Sequence, residues 1–269
     1  WIRLPLKERG TAYFMLQRAL RTLDGIESLR GQGYALAACA HLLEAAEAGA
    51  IECPAEWTSQ LAHYLVRLEK TLVSAFRNRA DGQWDWFEPV MTYANGLLPW
   101  ALLRAHRVTG HPEALETGLR SLRFLLRCMT APEGWLRPVG NAGWAAPGSD
   151  QQPLELFKLA LALDEAETAL RRLDGVSGGA TVVGAEGDGA DDAAGSLAAT
   201  AVMDGASGRA TAFATVGTAG AVSPEVRSLP AALDGLREMK MRCLQWFDGY
   251  NDLGVPMADP WDGSCSDGL

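Results

Sequence analysis

The sequence lacks a surplus of positive charge. Its 24 Lys and Arg stand against 33 Asp and Glu, giving a net charge of −9 and a pI near 5.0. No basic stripe exists to neutralise phosphates, and the Arg67–Lys70 region sits among acids at helical spacing, so nucleic acid is not an expected partner. Long apolar runs are missing too. No stretch of about 18 residues is free of charge, and no membrane span is expected. A secretory leader is not visible. The five cysteines (Cys39, Cys53, Cys128, Cys243 and Cys265) are odd in number and widely spaced, with no CxxC pair. That usage suits free thiols in a reducing cytoplasm rather than a disulfide framework. The histidines His41, His63, His106 and His111 form neither HExxH nor HxH, so no metal site is expected. Strand patterning is nearly absent, and no Gly-rich loop follows a strand, which excludes a nucleotide-binding βαβ unit and any implied cofactor.

What is present is helical periodicity. With 48% hydrophobic and 21% charged residues over 269 positions, the chain has ordinary globular composition. Apolar residues recur every three or four positions in seven segments. The first is marked by Phe14, Leu16, Ala19, Leu20 and Leu23. The others run from Tyr34 to Ala48, Trp57 to Phe76, Leu97 to Val108, from Pro112 through Leu126, from Gln152 to about Leu173, and Leu229 to Phe247. Pro99, Pro112 and Pro153 fall in first turns, where a missing N–H costs little. The second, fourth and sixth segments are the more apolar, and a polar, Gly-bearing stretch precedes each. The third and fifth are amphipathic. This alternation predicts an all-α array of hairpins in an inner and an outer layer, a toroid whose inner-helix loops open on one face. Residues 174–228 break the pattern with Gly, Ala, Ser and Thr. They are expected to form a disordered insertion within a single domain spanning 1–269.

Three loops on that expected face gather rings, carboxylates and carboxamides. The first, "WDWFEPVMTYANG", carries Trp84, Trp86, Glu88, Tyr93 and Asn95. The second carries Asn141, Trp144, Asp150, Gln151 and Gln152, with Glu155 following. The third, "GYNDLGVP", carries Asn251 and Asp252. Pyranose faces stack on aromatics, hydroxyls pair with Asp, Asn and Gln, and glycosidic chemistry needs two carboxyls in different protonation states. Each residue also has a plainer reading. The tryptophans would plug a layer end, Asp150 would cap a helix, Glu155 would complement a helix dipole, and Asn251–Asp252 would form a turn. Their concentration on one face favours a site.

The words "WFEPVMTYANGLLPWALL", "SLRFLL", "GWLRPVGNAGW", "DQQPLELFKLALAL" and "NDLGVP" resemble a bacterial helical domain of the six-hairpin glycosidase type. Such domains are fused behind nucleotide-sugar glycosyltransferases or encoded near β-mannoside phosphorylases. The resemblance runs from about residue 30 to the end, outside 174–228. It implies an (α/α)6 toroid acting on a neutral, mannose-containing oligosaccharide, with a glycosyltransferase as partner. By position, Trp86, Glu88, Tyr93, Asn95, Asn141, Trp144, Asp150, Gln151, Gln152, Asn251 and Asp252 would line the cleft. The sequence departs from the pattern at Gln83, where Asp is expected, and at Leu154-Glu155-Leu156, where Ile-Glu-Ala is. A final helix is expected after Asp267, so the toroid would be incomplete here. The leading expectation is a glycoside hydrolase-like enzyme with Glu88, buried among rings, as the acid and Asp150 as its ionised partner. Asp252 is the reserve, and Trp86 and Trp144 are the stacking rings. The rival expectation is a non-catalytic sugar-binding or scaffolding module serving a glycosyltransferase.

Overall fold

A computed structural model describes residues 5–139, 152–178, 200–203, 210–213 and 230–250. Seven α-helices account for most of them: α1 (Leu6–Leu20), α2 (Leu29–Glu47), α3 (Ala55–Arg77), α4 (Leu97–Thr109), α5 (Pro112–Cys128), α6 (Pro153–Gly178) and α7 (Pro230–Gln245). The described chain is mostly helical, as expected. Helix ends follow local chemistry. Pro112 opens α5 directly after His111. Gly110, with φ 68°, closes α4 in the left-handed conformation that favours glycine. The start of α2 differs from expectation: it lies at Leu29, so the Gly-bearing "SLRGQG" belongs to the helix. The Ser28 hydroxyl accepts the Gly31 amide at 3.1 Å, and this cap offsets part of the helix cost of two glycines.

Three consecutive hairpins follow α1. Helix α2 packs against α3, α4 against α5, and α6 against α7, while α4 also packs against both α2 and α6. The three more apolar helices therefore lie side by side, with their hairpin partners outside them. Leu97, Leu98, Ala101, Leu102, Leu103 and Ala105 are all fully buried, because α4 has neighbours on nearly every side. Leu115, Leu119, Leu122 and Leu125 make the buried face of the amphipathic α5. One contiguous apolar core runs from Leu20 to Trp246. Cys39 lies within it, and burial pushes its thiol up to about 12, as expected of a small inert hydrophobe. Among the described residues, no helix is long and apolar enough to cross a membrane.

The inner helices run parallel, as contacts at both ends show. Their N-terminal turns meet through Arg30, Asn95 and Glu155, described below. Towards their C-termini an ionic cluster joins all three. Arg104 of α4 bonds Glu44 of α2 and, at 2.7 Å, Glu165 of α6, while Arg107 lies 3.0 Å from Glu44 and 3.1 Å from Glu165. The charges balance and the groups are largely buried, so the cluster fixes the helices relative to one another.

His41 of α2 stands 2.8 Å from Arg104, with Arg107, Glu44 and Glu165 around it. Burial, then Arg104, holds its imidazole below the ordinary 6.5. A group held down in this way stabilises the fold above its unfolded value and loses that contribution as pH falls through the folded one. Thermal melts between about pH 7.5 and 5.5 should show a smaller acid loss for His41→Gln than for the native chain. Equal losses would remove His41 from the balance.

Of residues 174–228, only 174–178, 200–203 and 210–213 are described. Helix α6 continues to Gly178, and β1 (Thr200–Met203) pairs antiparallel with β2 (Ala210–Phe213) in the register Thr200 to Phe213 and Met203 to Ala210. Thr, Val and Phe supply the β-branched and aromatic content that a strand favours. The rest of the segment lies outside the described residues.

Candidate functional site

Arg30, in the first turn of α2, organises the N-terminal end of the inner layer. Its side chain is nearly buried. Nη1 donates to Glu88 Oε2 at 2.6 Å and to Oε1 at 2.8 Å, Nη2 donates to Asn95 Oδ1 at 3.3 Å, and Nε donates to the Tyr93 carbonyl. The guanidinium also lies 4.8 Å from the centre of the Tyr93 ring, which is itself exposed. One arginine thus pins three points of the loop entering α4.

Glu155, in the first turn of α6, pins the same loop from the other side. It accepts the Ala94 amide, and at 3.0 Å both the Asn95 amide and the Asn95 Nδ2. The residue is 2% exposed. Burial raises its pKa, while the Asn95 and Ala94 amides oppose the rise. Ala94 adopts a positive φ of 48°, and these bonds hold the turn in that conformation. At the next residue but one, Gly96 brings the α4 backbone against α6. A Cβ there would stand 2.4 Å from the Lys158 carbonyl carbon.

Several expected site residues take other roles. Trp86 is fully buried, its ring 5.3 Å from Phe87 and 6.3 Å from Phe124, so it cannot be a platform for a sugar. Its position in a layer-end plug satisfies the burial of a large apolar ring. Asn95 is also fully buried, with its side chain spent on Arg30 and Glu155, so it shapes the loop rather than meeting ligand. Trp84 is half-buried, packs edge-on against Phe124 at 5.1 Å and donates from Nε1 to the Glu88 carbonyl at 2.8 Å. Gln152 is half-buried, and its carbonyl accepts the Glu155 amide at 3.0 Å.

Glu88 needs the largest correction. It is not enclosed by rings as an acid would need to be. Its side chain is 26% exposed, and both oxygens face the Arg30 guanidinium. Both oxygens are thus held on one guanidinium, a charge-assisted pair rather than a ring-lined pocket. Asn141, Trp144, Asp150, Gln151, Asn251 and Asp252 lie outside the described residues, so the expected carboxyl pair has one described member.

Two features are not legible in the sequence. Arg30 falls in a stretch that reads as a loop, although the Ser28 cap marks it as helix. The other is a partly open stripe along the inner helices: exposed Tyr34 and Ala38 and half-buried His41 of α2, half-buried Trp100 of α4, and half-buried Lys158 and Leu161 of α6. Cross-contacts bind this stripe into one face. Lys158 lies 4.9 Å from the Tyr34 ring centre, and His41 lies 5.9 Å from that of Trp100. Tyr34, Phe157 and Phe247 are all exposed, and the last two meet edge-on at 5.7 Å. Among the described residues, no group of three or more His, Cys, Asp or Glu could hold a metal ion. Comparison with protein-family models, curated proteins and solved structures finds no match to this chain.

Proposed function

We propose that the chain is a carbohydrate-binding helical domain of the six-hairpin glycosidase type, whose sugar site lies at the N-terminal ends of α2, α4 and α6. The observation that carries this reading is that this end holds three uncovered rings, Tyr93 on Arg30 and Tyr34 and Phe157 on Lys158, together with a partly exposed carboxylate oriented by Arg30. Rings give a sugar apolar faces to stack on, and an oriented carboxylate accepts from paired hydroxyls. The three hairpins α2/α3, α4/α5 and α6/α7 supply half of a six-hairpin ring. Closure of that ring, a cytoplasmic setting and service to a glycosyltransferase belong to the same reading.

Hydrolysis is the second reading, and the Arg30–Glu88 pair favours it in an altered form. A partly exposed carboxylate held by a guanidinium suits a base or nucleophile, and the acid would come from another residue. Glu88→Gln separates the two readings. If the chain only binds, the native protein cleaves no glycoside and the variant still binds. If it hydrolyses, the variant loses turnover. Arg30→Met is expected to weaken oligosaccharide affinity about tenfold or more, because Tyr93, Glu88 and Asn95 all lose their anchor; a charged hydrogen bond alone is worth about 1.5–3 kcal/mol. Arg67→Met, which removes an exposed pair with Asp24, is the control. Equal affinities of the Arg30 and Arg67 variants would move the site elsewhere.

A further inference from the structure

Among the described residues, Lys158 is the one cation of this face that the fold does not use. Its backbone is fixed, because the Lys158 carbonyl group closes against Gly96 where α4 and α6 meet. Its side chain leaves that point along the open face and reaches α2, where Nζ lies 4.9 Å from the Tyr34 ring centre and 5.6 Å from that of Phe157. Lys240 gives the contrast. It is also half-buried, yet its ammonium bonds Asp164 at 2.9 Å and Glu167 at 3.1 Å. Among the described residues, Lys158 has no carboxylate within ion-pair distance.

Neither Glu88 nor Glu155, the carboxylates that brace this end of the inner helices, serves it. Glu88 is taken by Arg30, and Glu155 is spent on the amides of Ala94 and Asn95 and on the Asn95 side chain. The N-termini of α2, α4 and α6 converge here as well, and each adds partial positive charge. Rings stabilise an ammonium through their faces but accept none of its three N–H donors in the way an oxygen does. Among the described residues Arg30 and Lys158 balance Glu88 and Glu155 in number, but of these four only Lys158 has no oxygen or amide partner.

We infer that Lys158, framed by Tyr34 and Phe157, is the subsite for an acidic group on the bound saccharide, a carboxylate or a phosphate. This rests on the sugar-binding reading and revises its ligand from a neutral to an anionic sugar. The sugar ring lies against Tyr34 or Phe157, and its anion replaces water around Nζ. No bond is made or broken.

The test is a calorimetric titration of the whole chain with three probes: a galacturonate trisaccharide, mannose 6-phosphate and neutral mannotriose. At least one acidic probe is expected to bind about tenfold or more tightly than mannotriose, the scale of one charge-assisted contact. Raised salt should shrink the preference. Lys158→Gln should abolish it, so that the acidic probe binds no more tightly than mannotriose, and Lys158→Arg should keep it. The acidic probe that binds distinguishes carboxylate from phosphate. If all three probes bind alike, or if Lys158→Gln keeps the preference, the inference is overturned and the sugar-binding reading stands. If no saccharide binds, both fall together.

Discussion

Glu165→Ala is expected to destabilise the protein by about 3–5 kcal/mol, the usual result of removing one partner from a buried ionic cluster. Glu165 is 7% exposed and holds Arg104 at 2.7 Å and Arg107 at 3.1 Å. Without it two positive guanidiniums would share a mostly buried space with Glu44 alone. The measurement is a denaturant titration in which the midpoint falls and the slope is unchanged. Adding Arg107→Met to the variant should recover part of the loss, because the surplus charge is then gone. A loss below about 1 kcal/mol would mean that solvent reaches the cluster and that it behaves as a surface pair.

Gly96→Ala is expected to cost at least the upper end of the usual ~1–3 kcal/mol for overpacking. The added Cβ would lie 2.4 Å from the Lys158 carbonyl carbon, 2.5 Å from its oxygen and 2.6 Å from the Leu159 nitrogen. These are backbone atoms, so no side-chain rotation relieves the clash, and α4 and α6 must separate. The same movement would pull Asn95 from Glu155, so ligand affinity should fall with stability. Backbone conformation is not the cause, since φ at Gly96 is −61°. Gly33→Ala provides the comparison within the same layer. A Cβ there meets only side chains, Leu98 at 3.4 Å and Leu97 at 3.6 Å. That variant should change stability by less than about 1 kcal/mol, helped by the helix propensity of alanine. Equal costs at the two positions would contradict the packing described for α4.

Periodicity made the helices legible, and the layers followed from it. The more apolar segments became the inner helices because a helix with neighbours on most sides has little surface left for polar residues. Pro112 and Gly110 marked ends that local geometry alone decides. The site was legible only in outline. Trp86 and Asn95 lie in the loop before α4, but sequence cannot say which side of a loop faces inward, and both are buried. Glu155 read as a dipole complement, whereas it braces a turn contributed by residues sixty positions away. Such a bond depends on tertiary approach, which spacing does not encode. Arg30 and Lys158 are illegible for a similar reason: Arg30 looks like a loop cation and Lys158 like a solvated helix cation until the neighbouring helices are in place.

The most direct test of the account is a crystal structure of the protein with an oligosaccharide selected on a glycan array. The account predicts a pyranose ring in contact with Tyr34, Tyr93 or Phe157, at the N-terminal ends of α2, α4 and α6, with an acidic oxygen within hydrogen-bond reach of Lys158 Nζ. A saccharide seated instead against the outer helices α3 and α5, or an array on which no glycan is retained, would contradict it.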